Sequence, residues 1–336
     1  MAKPRAISIA DGLSITLGPL ARALTQRYAR ILMYHRFSAD GQARRMSVRV
    51  FEEHLRYITR YFTPRPLREV VDRLRSNRRF DSRSVVLTVD DGYRDFLEYA
   101  YPMLLRYRVP ATIYIVTEFA EGRRWLWFDA LHWLLRAAAP GRHQFEVDAT
   151  RTFELILDAP AAREATWSKV GTYLWDLSPE AQWIGIRRLE SFLGLRLPAL
   201  PTAEYAPMTW DELRGLDPEL IEIGSHSCTH AVLSRCTSAQ QLSEIATSKK
   251  AIEERLGRRV DAFCYPHGRP QDFTAETQSI AADCGFTSAV VAFGGLVGAA
   301  TPPGRLTRLS ADDEMRTFRN SINGIGRIKQ ALRIAD

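Results

Sequence analysis

Short apolar runs alternate with helical patterns along this chain, which predicts repeated βα units. ARILMYH (29–35), SVVLTV (84–89), ATIYIV (111–116), LIEIGS (220–225), VDAFCY (260–265) and FTSAVVA (286–292) read as strands. The unbroken apolar run at 84–89 suits a strand covered on both faces, as in a parallel sheet. Residues 93–108 read as a helix that ends before Pro110. A longer helix lies between the strands at 220–225 and 260–265. Ser238 and Gln241 predict its capping box, Leu242, Ile245, Ile252 and Leu256 its apolar face, and Gly257 its end. Thr209 and Glu212 predict a second capping box just before 220–225.

The rhythm breaks between about 120 and 205. This stretch carries six of the seven tryptophans: Trp125, Trp127, Trp133, Trp167, Trp175 and Trp183. It reads as mostly helical with one hairpin, QFEVDA then RTFELIL. It is expected to be an insertion at the carboxyl end of a strand, where α/β folds carry specificity loops. Its tryptophans either pack a small core of their own or, in one or two cases, stack on a sugar face.

The composition, 46% hydrophobic and 25% charged over 336 residues, excludes disordered and collagen-like classes and allows one large barrel or two ordinary domains. The net charge of +7 favours an anionic partner: nucleic acid, a membrane surface or an acidic sugar. Nucleic acid is set aside, because the charges are spread, no nucleic-acid motif is present, and RLRSNRR (73–79) reads as a solvated helix end. Cys228, Cys236, Cys264 and Cys284 have neither CxxC nor zinc-finger spacing and fit a reducing compartment. The apolar stretches of residues 1–30 are broken by Asp11, Gly12 and Pro19, so neither a signal-peptide core nor a membrane span is expected. A cytoplasmic protein is the expectation. The 1–30 leader either packs as a helix or lies on a membrane with Arg22, Arg27 and Arg30 toward the headgroups. Residues 311–336 read as a helical tail.

Three segments place reactive side chains where strands should end. In VVLTVDDGYRD, Asp90 and Asp91 follow a strand, and neighbours on an extended chain point in opposite directions. One carboxylate can then hold a metal while the other handles a proton; a helix cap with a spare acid is the plainer reading. In EIGSHSCTHAVLS, His226 and His230 stand four apart, on one side of a helical turn, a spacing that suits zinc. In AFCYPHGRP, Pro266 lacks an N–H, so the His267 amide is the next donor a tight turn presents to an oxyanion. Two histidines and one aspartate leave positions open for water and substrate. The set suits a hydrolytic metal or non-haem Fe(II), and Asp90 beside it favours hydrolysis.

TVDDG, HSCTH and FCYPHG, in this order, resemble the polysaccharide deacetylases of the NodB-homology group, carbohydrate esterase family four. LMYHRF, TWDEL and EIATSKKAIEERLG echo the same family. The resemblance runs from about Ile31 to Leu309 and implies an α/β fold, a distorted, open (β/α)7-type barrel carrying the tryptophan-rich insertion. It also implies that Asp91, His226 and His230 hold Zn2+ or a similar divalent ion. Asp90 is then the base, and the His267 amide helps to hold the oxyanion. Many members carry an Arg where this chain has Cys264, and a late Leu-x-His where it has RLTRLS. The variant is similar to the branch with an early Tyr-His box, which makes His35 the expected acid, with His267 second. Tyr265 and Arg308 are expected at the substrate, and Arg308 also offers a replacement for the missing Arg beside Asp90. The implied substrate is an N-acetylated saccharide, anionic or lipid-linked, in envelope or exopolysaccharide synthesis. A deformylase or other amide hydrolase of the same fold, and an inactive glycan-binding barrel, are the alternatives.

Overall fold

The structure is a computed structural model that describes residues 18–332 apart from 43, 81 and 82. Eight strands form one parallel sheet: β1 (Arg30–Tyr34), β2 (Thr63–Pro64), β3 (Ser84–Val89), β4 (Ala111–Ile115), β5 (Ile221–Ser225), β6 (Ala262–Cys264), β7 (Ser288–Val290) and β8 (Leu309–Ser310). Their order is β7-β6-β5-β4-β3-β1-β8, with β2 beside the start of β3. Leu306 bridges to Val290 and Leu309 pairs with Leu32, so residues 306–310 draw the two ends of the curved sheet together. The result is a distorted barrel with one weak seam. All six residues of β3 are buried, as its apolar run predicts for a central parallel strand.

Register decides what meets at the carboxyl ends. Tyr34 is level with Val89, so the next residues, His35 and Asp90, emerge side by side. Ser225 is level with both Ile115 and Phe263, which brings His226 up beside the end of β6. Gly224 makes the β5–β4 approach possible. A Cβ there would lie 2.5 Å from the Tyr114 ring and 2.9 Å from the Ala262 carbonyl oxygen. Gly224→Ala is therefore expected to cost about 1–3 kcal/mol through overpacking, read as a lower urea midpoint at unchanged slope. An unchanged midpoint would contradict that packing.

Besides short turns of helix at Thr117–Ala120 and Trp210–Arg214, the helices include α1 (Val48–Tyr61), α2 (Leu67–Arg75), α3 (Tyr101–Tyr107), α4 (Trp127–Ala137), α5 (Pro160–Trp175), α6 (Pro179–Leu193), α7 (Ser238–Leu256), α8 (Ala275–Asp283), α9 (Met315–Asn323) and α10 (Ile325–Leu332). A π-turn at Phe96–Ala100 precedes α3, where Pro102 removes a donor from the ladder. α7 is capped one residue earlier than its sequence suggests. Thr237 and Gln240 form the box, which leaves Gln241 buried and bonded to Thr277 at 2.6 Å. The inward face is Gln241, Ile245, Ser248, Ile252 and Leu256, whereas Leu242 is exposed. The box at Thr209 and Glu212 forms as read.

Residues 1–17 of the leader lie outside the described residues. Arg30, which the membrane alternative would turn toward lipid, is fully buried at the start of β1. Its guanidinium donates to the carbonyls of Ile322, Thr25 and Tyr28, and burial pulls it down to about 10. Arg22 likewise turns inward, to Tyr57 and Asn323, while Arg27 is exposed. The tail helix α9 packs against α1, with Phe318 stacked on His54. Among the described residues no helix is long and apolar enough to cross a membrane.

The insertion is built from α4, a hairpin (Arg142–Asp148 with Arg151–Ile156), α5 and α6. It surrounds a core of its own, including Leu131, Leu134, Phe145, Leu155, Leu174 and Ile186, distinct from the barrel's core.

Candidate active site

The carboxyl ends of β1, β3, β5 and β6 open into a cleft of about 520 Å³ lined by His35, Asp90, Asp91, His226, His230 and His267. Asp91 is not on extended chain: its φ is +74°, and the Gly92 amide donates to the Asp90 carbonyl. This left-handed turn, rather than strand alternation, separates the two carboxylates. His226 and His230 do not share a helical turn either. They end a loop in which Ser227 and His230 both have positive φ. Glu244 of α7 fastens that loop by accepting the Cys228 and Thr229 amides, each at 2.9 Å. Sequence reasoning missed Glu244; its only trace is an acid on the helix that follows the histidines.

Asp91 Oδ1 lies 3.5 Å from His226 Nε2 and 3.4 Å from His230 Nε2. That oxygen is buried with no hydrogen-bond partner, a costly state unless something binds there. His226 Nδ1 lies 2.8 Å from the Cys264 carbonyl, so it carries the proton and leaves Nε2 as a free lone pair. Burial pushes His226 down to about 4 and His230 well below its ordinary value, so both are neutral, as metal ligands must be. Three convergent donors of this chemistry fit a divalent cation.

A second cluster, Asp90, His226 and Cys264, fits one less well. Burial raises the Cys264 thiol well above its usual range, so it stays protonated. Both oxygens of Asp90 are already taken, by Arg308 Nη1 and Nη2 at 2.7 Å each. Burial favours protonation of Asp90, but the charge and paired hydrogen bonds of Arg308 outweigh it and hold the carboxyl well below the usual range. Arg308 Nη2 also lies 3.3 Å from Cys264 Sγ, so the late arginine reaches the place beside Asp90 from β8's side of the barrel.

Arg308 is thus a buried partner of Asp90 and does not line the cleft, contrary to its reading as a substrate contact. Tyr265 is also misplaced by that reading. It is buried in the barrel core, its ring stacked on Phe273 and its hydroxyl on the Gly304 carbonyl, because the turn at Pro266 directs it inward. His35 stands at the mouth, its side chain 46% exposed and Nε2 3.7 Å from Asp90 Oδ2. The His267 ring packs against Trp175 with 4.2 Å between centroids, and its Nε2 is buried without a partner.

Residues 77–150 and 195–289, together half of the chain, match the family model described as polysaccharide deacetylase. The chain belongs to the polysaccharide deacetylase family. The matched segments carry Asp90, Asp91, His226, His230 and His267 and omit 151–194, where α5 and α6 lie. Among the relatives of this deacetylase-family chain, the Bacillus subtilis (strain 168) protein YxkH is 35% identical over 88 residues, 26% of this chain and 31% of that protein. Two solved structures share the fold. Streptococcus pyogenes deacetylase PplD, in complex with acetate, superposes with a TM-score of 0.57 at 18% identity, over 89% of this chain and 97% of that one. IcaB from Ammonifex degensii gives 0.57 at 14% identity, over 89% and 97%.

The insertion supplies much of the cleft wall of this deacetylase-family chain. Trp127 and Phe128 of α4, and Trp167, Gly171 and Trp175 of α5, line it. Trp125, Trp133 and Trp183 belong to the insertion's core, and Trp125 Nε1 donates to the Pro198 carbonyl at 2.8 Å.

Proposed function

We propose that this protein is a metal-dependent N-deacetylase that hydrolyses the acetamide of an N-acetylated saccharide. The observation that carries the proposal is the meeting of two buried arrangements at the floor of an aromatic cleft: the open-handed Asp91–His226–His230 set and the arginine-clamped Asp90. Asp91, His226 and His230 would hold the ion, Zn2+ being the one this donor set suits best. When bound, it supplies Lewis acidity to the amide carbonyl and acidity to water.

Asp90 takes the proton of the attacking water, and Arg308 keeps it ionised and aimed until then. The His267 amide is the donor we assign to the developing oxyanion. His35 gives a proton to the leaving amine: it stands within reach of Asp90 and, being half in solvent, recharges after each turnover. The four free cysteines support a cytoplasmic setting, and the basic surface supports an anionic glycan, free or lipid-linked.

The test is acetate release from N-acetylated oligosaccharides by the purified protein, abolished by a chelator and restored by zinc. Formate release from N-formyl analogues alone would favour a deformylase, and binding without either product an inactive barrel. His35→Ala is expected to lower kcat on the order of 10²–10⁴-fold with a smaller change in KM. Full turnover by that variant would move the acid's role to His267.

A further inference from the structure

The cleft adjoins a second space of about 390 Å³, and Arg36 and Arg44 line both. Arg45, Arg136 and Arg163 complete a ring of five guanidiniums around this basin. Its acids are largely engaged. Asp95 beneath it pairs with Arg36 at 2.9 Å, and Glu204 is shared between Arg45 and Arg136. Glu164 meets His132 Nε2 at 2.6 Å, and Asp129 accepts the Tyr93 hydroxyl at 2.5 Å. Burial pushes the Asp129 carboxyl up.

Among the described residues, Arg44 and Arg163 have no carboxylate partner. Arg44 lies over the Trp167 ring at 3.6 Å, and Arg163 donates to the Leu135 and Arg136 carbonyls. Two unpaired guanidiniums therefore face the same space. Stacking and backbone bonds fix their planes while leaving donors free. Resting on the deacetylase reading above, we infer that this basin binds a phosphoryl or pyrophosphoryl group carried by the saccharide whose acetamide sits at the Asp91–His226–His230 site.

Charge and donor geometry favour that group. A neutral sugar needs acceptors as well as donors, and the basin's acceptors are already committed. One carboxylate is satisfied by one guanidinium fork. A ring of several forks matches the larger number of oxygens on a phosphoryl or pyrophosphoryl group. The basin also lies largely outside the segments that define the family. Arg36, Arg44, Arg45 and Arg163 fall outside the matched residues, whereas Asp90, Asp91 and the cleft histidines at 226, 230 and 267 fall inside them. The proposed metal ligands and base thus lie in the segments that match the family model, whereas four of the five basin arginines lie outside them, as do His35 and Arg308.

The Trp167 ring under Arg44 gives a direct readout. Titrating the metal-loaded protein with inorganic pyrophosphate should give a saturable change in tryptophan fluorescence that weakens as salt is raised. The affinity should fall at least about tenfold in Arg44→Gln and further in the Arg44→Gln, Arg163→Gln pair. It should persist in Asp91→Ala, which separates the basin from the metal. No saturable binding, equal binding in the paired variant, or loss in Asp91→Ala with retention in the paired variant would each overturn the inference. So would glucuronate competing as well as pyrophosphate. Acetate release then identifies the source of the phosphoryl group, by comparing a nucleotide-diphosphate N-acetyl sugar, a polyprenyl-diphosphate one in micelles and a phosphorylated oligosaccharide. If the basin binds pyrophosphate as described and none of the three yields acetate, the deacetylase reading falls while the basin stands.

Discussion

Arg308→Met is expected to lower kcat/KM on the order of 10²–10³-fold and to move the acid limb of its pH profile upward. In the wild-type protein the desolvation of Asp90 is opposed by the guanidinium, and the carboxyl stays below the usual range. Without Arg308, only the smaller influences of His35 and His226 still oppose desolvation, and Asp90 is expected to rise from its lowered value. The sign for stability follows from the same pair. A carboxyl whose value is lowered on folding contributes stability above about pH 4, and that contribution is lost as the pH falls through its folded value. The variant is therefore expected to be about 3–5 kcal/mol less stable at neutral pH, where an unpaired charge would be left buried. It should lose less on acidification than the wild type. Arg308→Lys should restore part of the rate and of the pH profile, since it returns the charge but not the two-pronged geometry. An unshifted acid limb in Arg308→Met would remove Arg308 from the mechanism.

Asp91→Ala and His226→Ala are each expected to abolish retention of the divalent ion and to reduce turnover on the order of 10³-fold or more. That figure follows because Lewis-acid stabilisation is worth several kcal/mol. Elemental analysis of the purified proteins checks the first part, and acetate release the second. Cys264→Ser distinguishes the two overlapping clusters, since a protonated, buried thiol is no ligand and its replacement should leave metal content intact. Firmly bound iron in place of zinc would reopen oxygenase chemistry. A protein that holds no metal when purified without chelators would sink the hydrolytic mechanism.

The barrel was legible because its strands are continuous apolar runs, and the site because its polar residues stand where those runs stop. What the sequence concealed depends on backbone conformations and distant packing. Positive φ at Asp91, Ser227 and His230 shapes the floor of the site; Asp and His tolerate that conformation better than most residues, but their presence does not say which of them adopts it. Periodicity placed Leu242 inward because it is apolar, but α7 buries Gln241 and Ser248, whose polar groups find partners on neighbouring elements. Tyr265 looked available because it stands in the reactive motif, although its ring completes the core. Arg30 looked like a surface cation, and only the fold supplies the backbone carbonyls that surround it. Arg308 stands 218 positions from Asp90, so its pairing with that residue is a product of topology rather than of local pattern.

The separate core of the insertion has an evolutionary consequence. α5 is anchored by Val170 and Leu174 in a cluster that excludes the barrel residues, while Trp167, Gly171 and Trp175 face the cleft. Substitutions at Trp167 and Gly171 change what the cleft admits at a remove from Asp90, Asp91, His226 and His230, whereas Trp175 packs on the His267 ring, which in turn packs on His230. Effects at sites that share no neighbours add rather than compound. A lineage carrying this fold can therefore drift in substrate through its insertion while inheriting its hydrolytic chemistry intact.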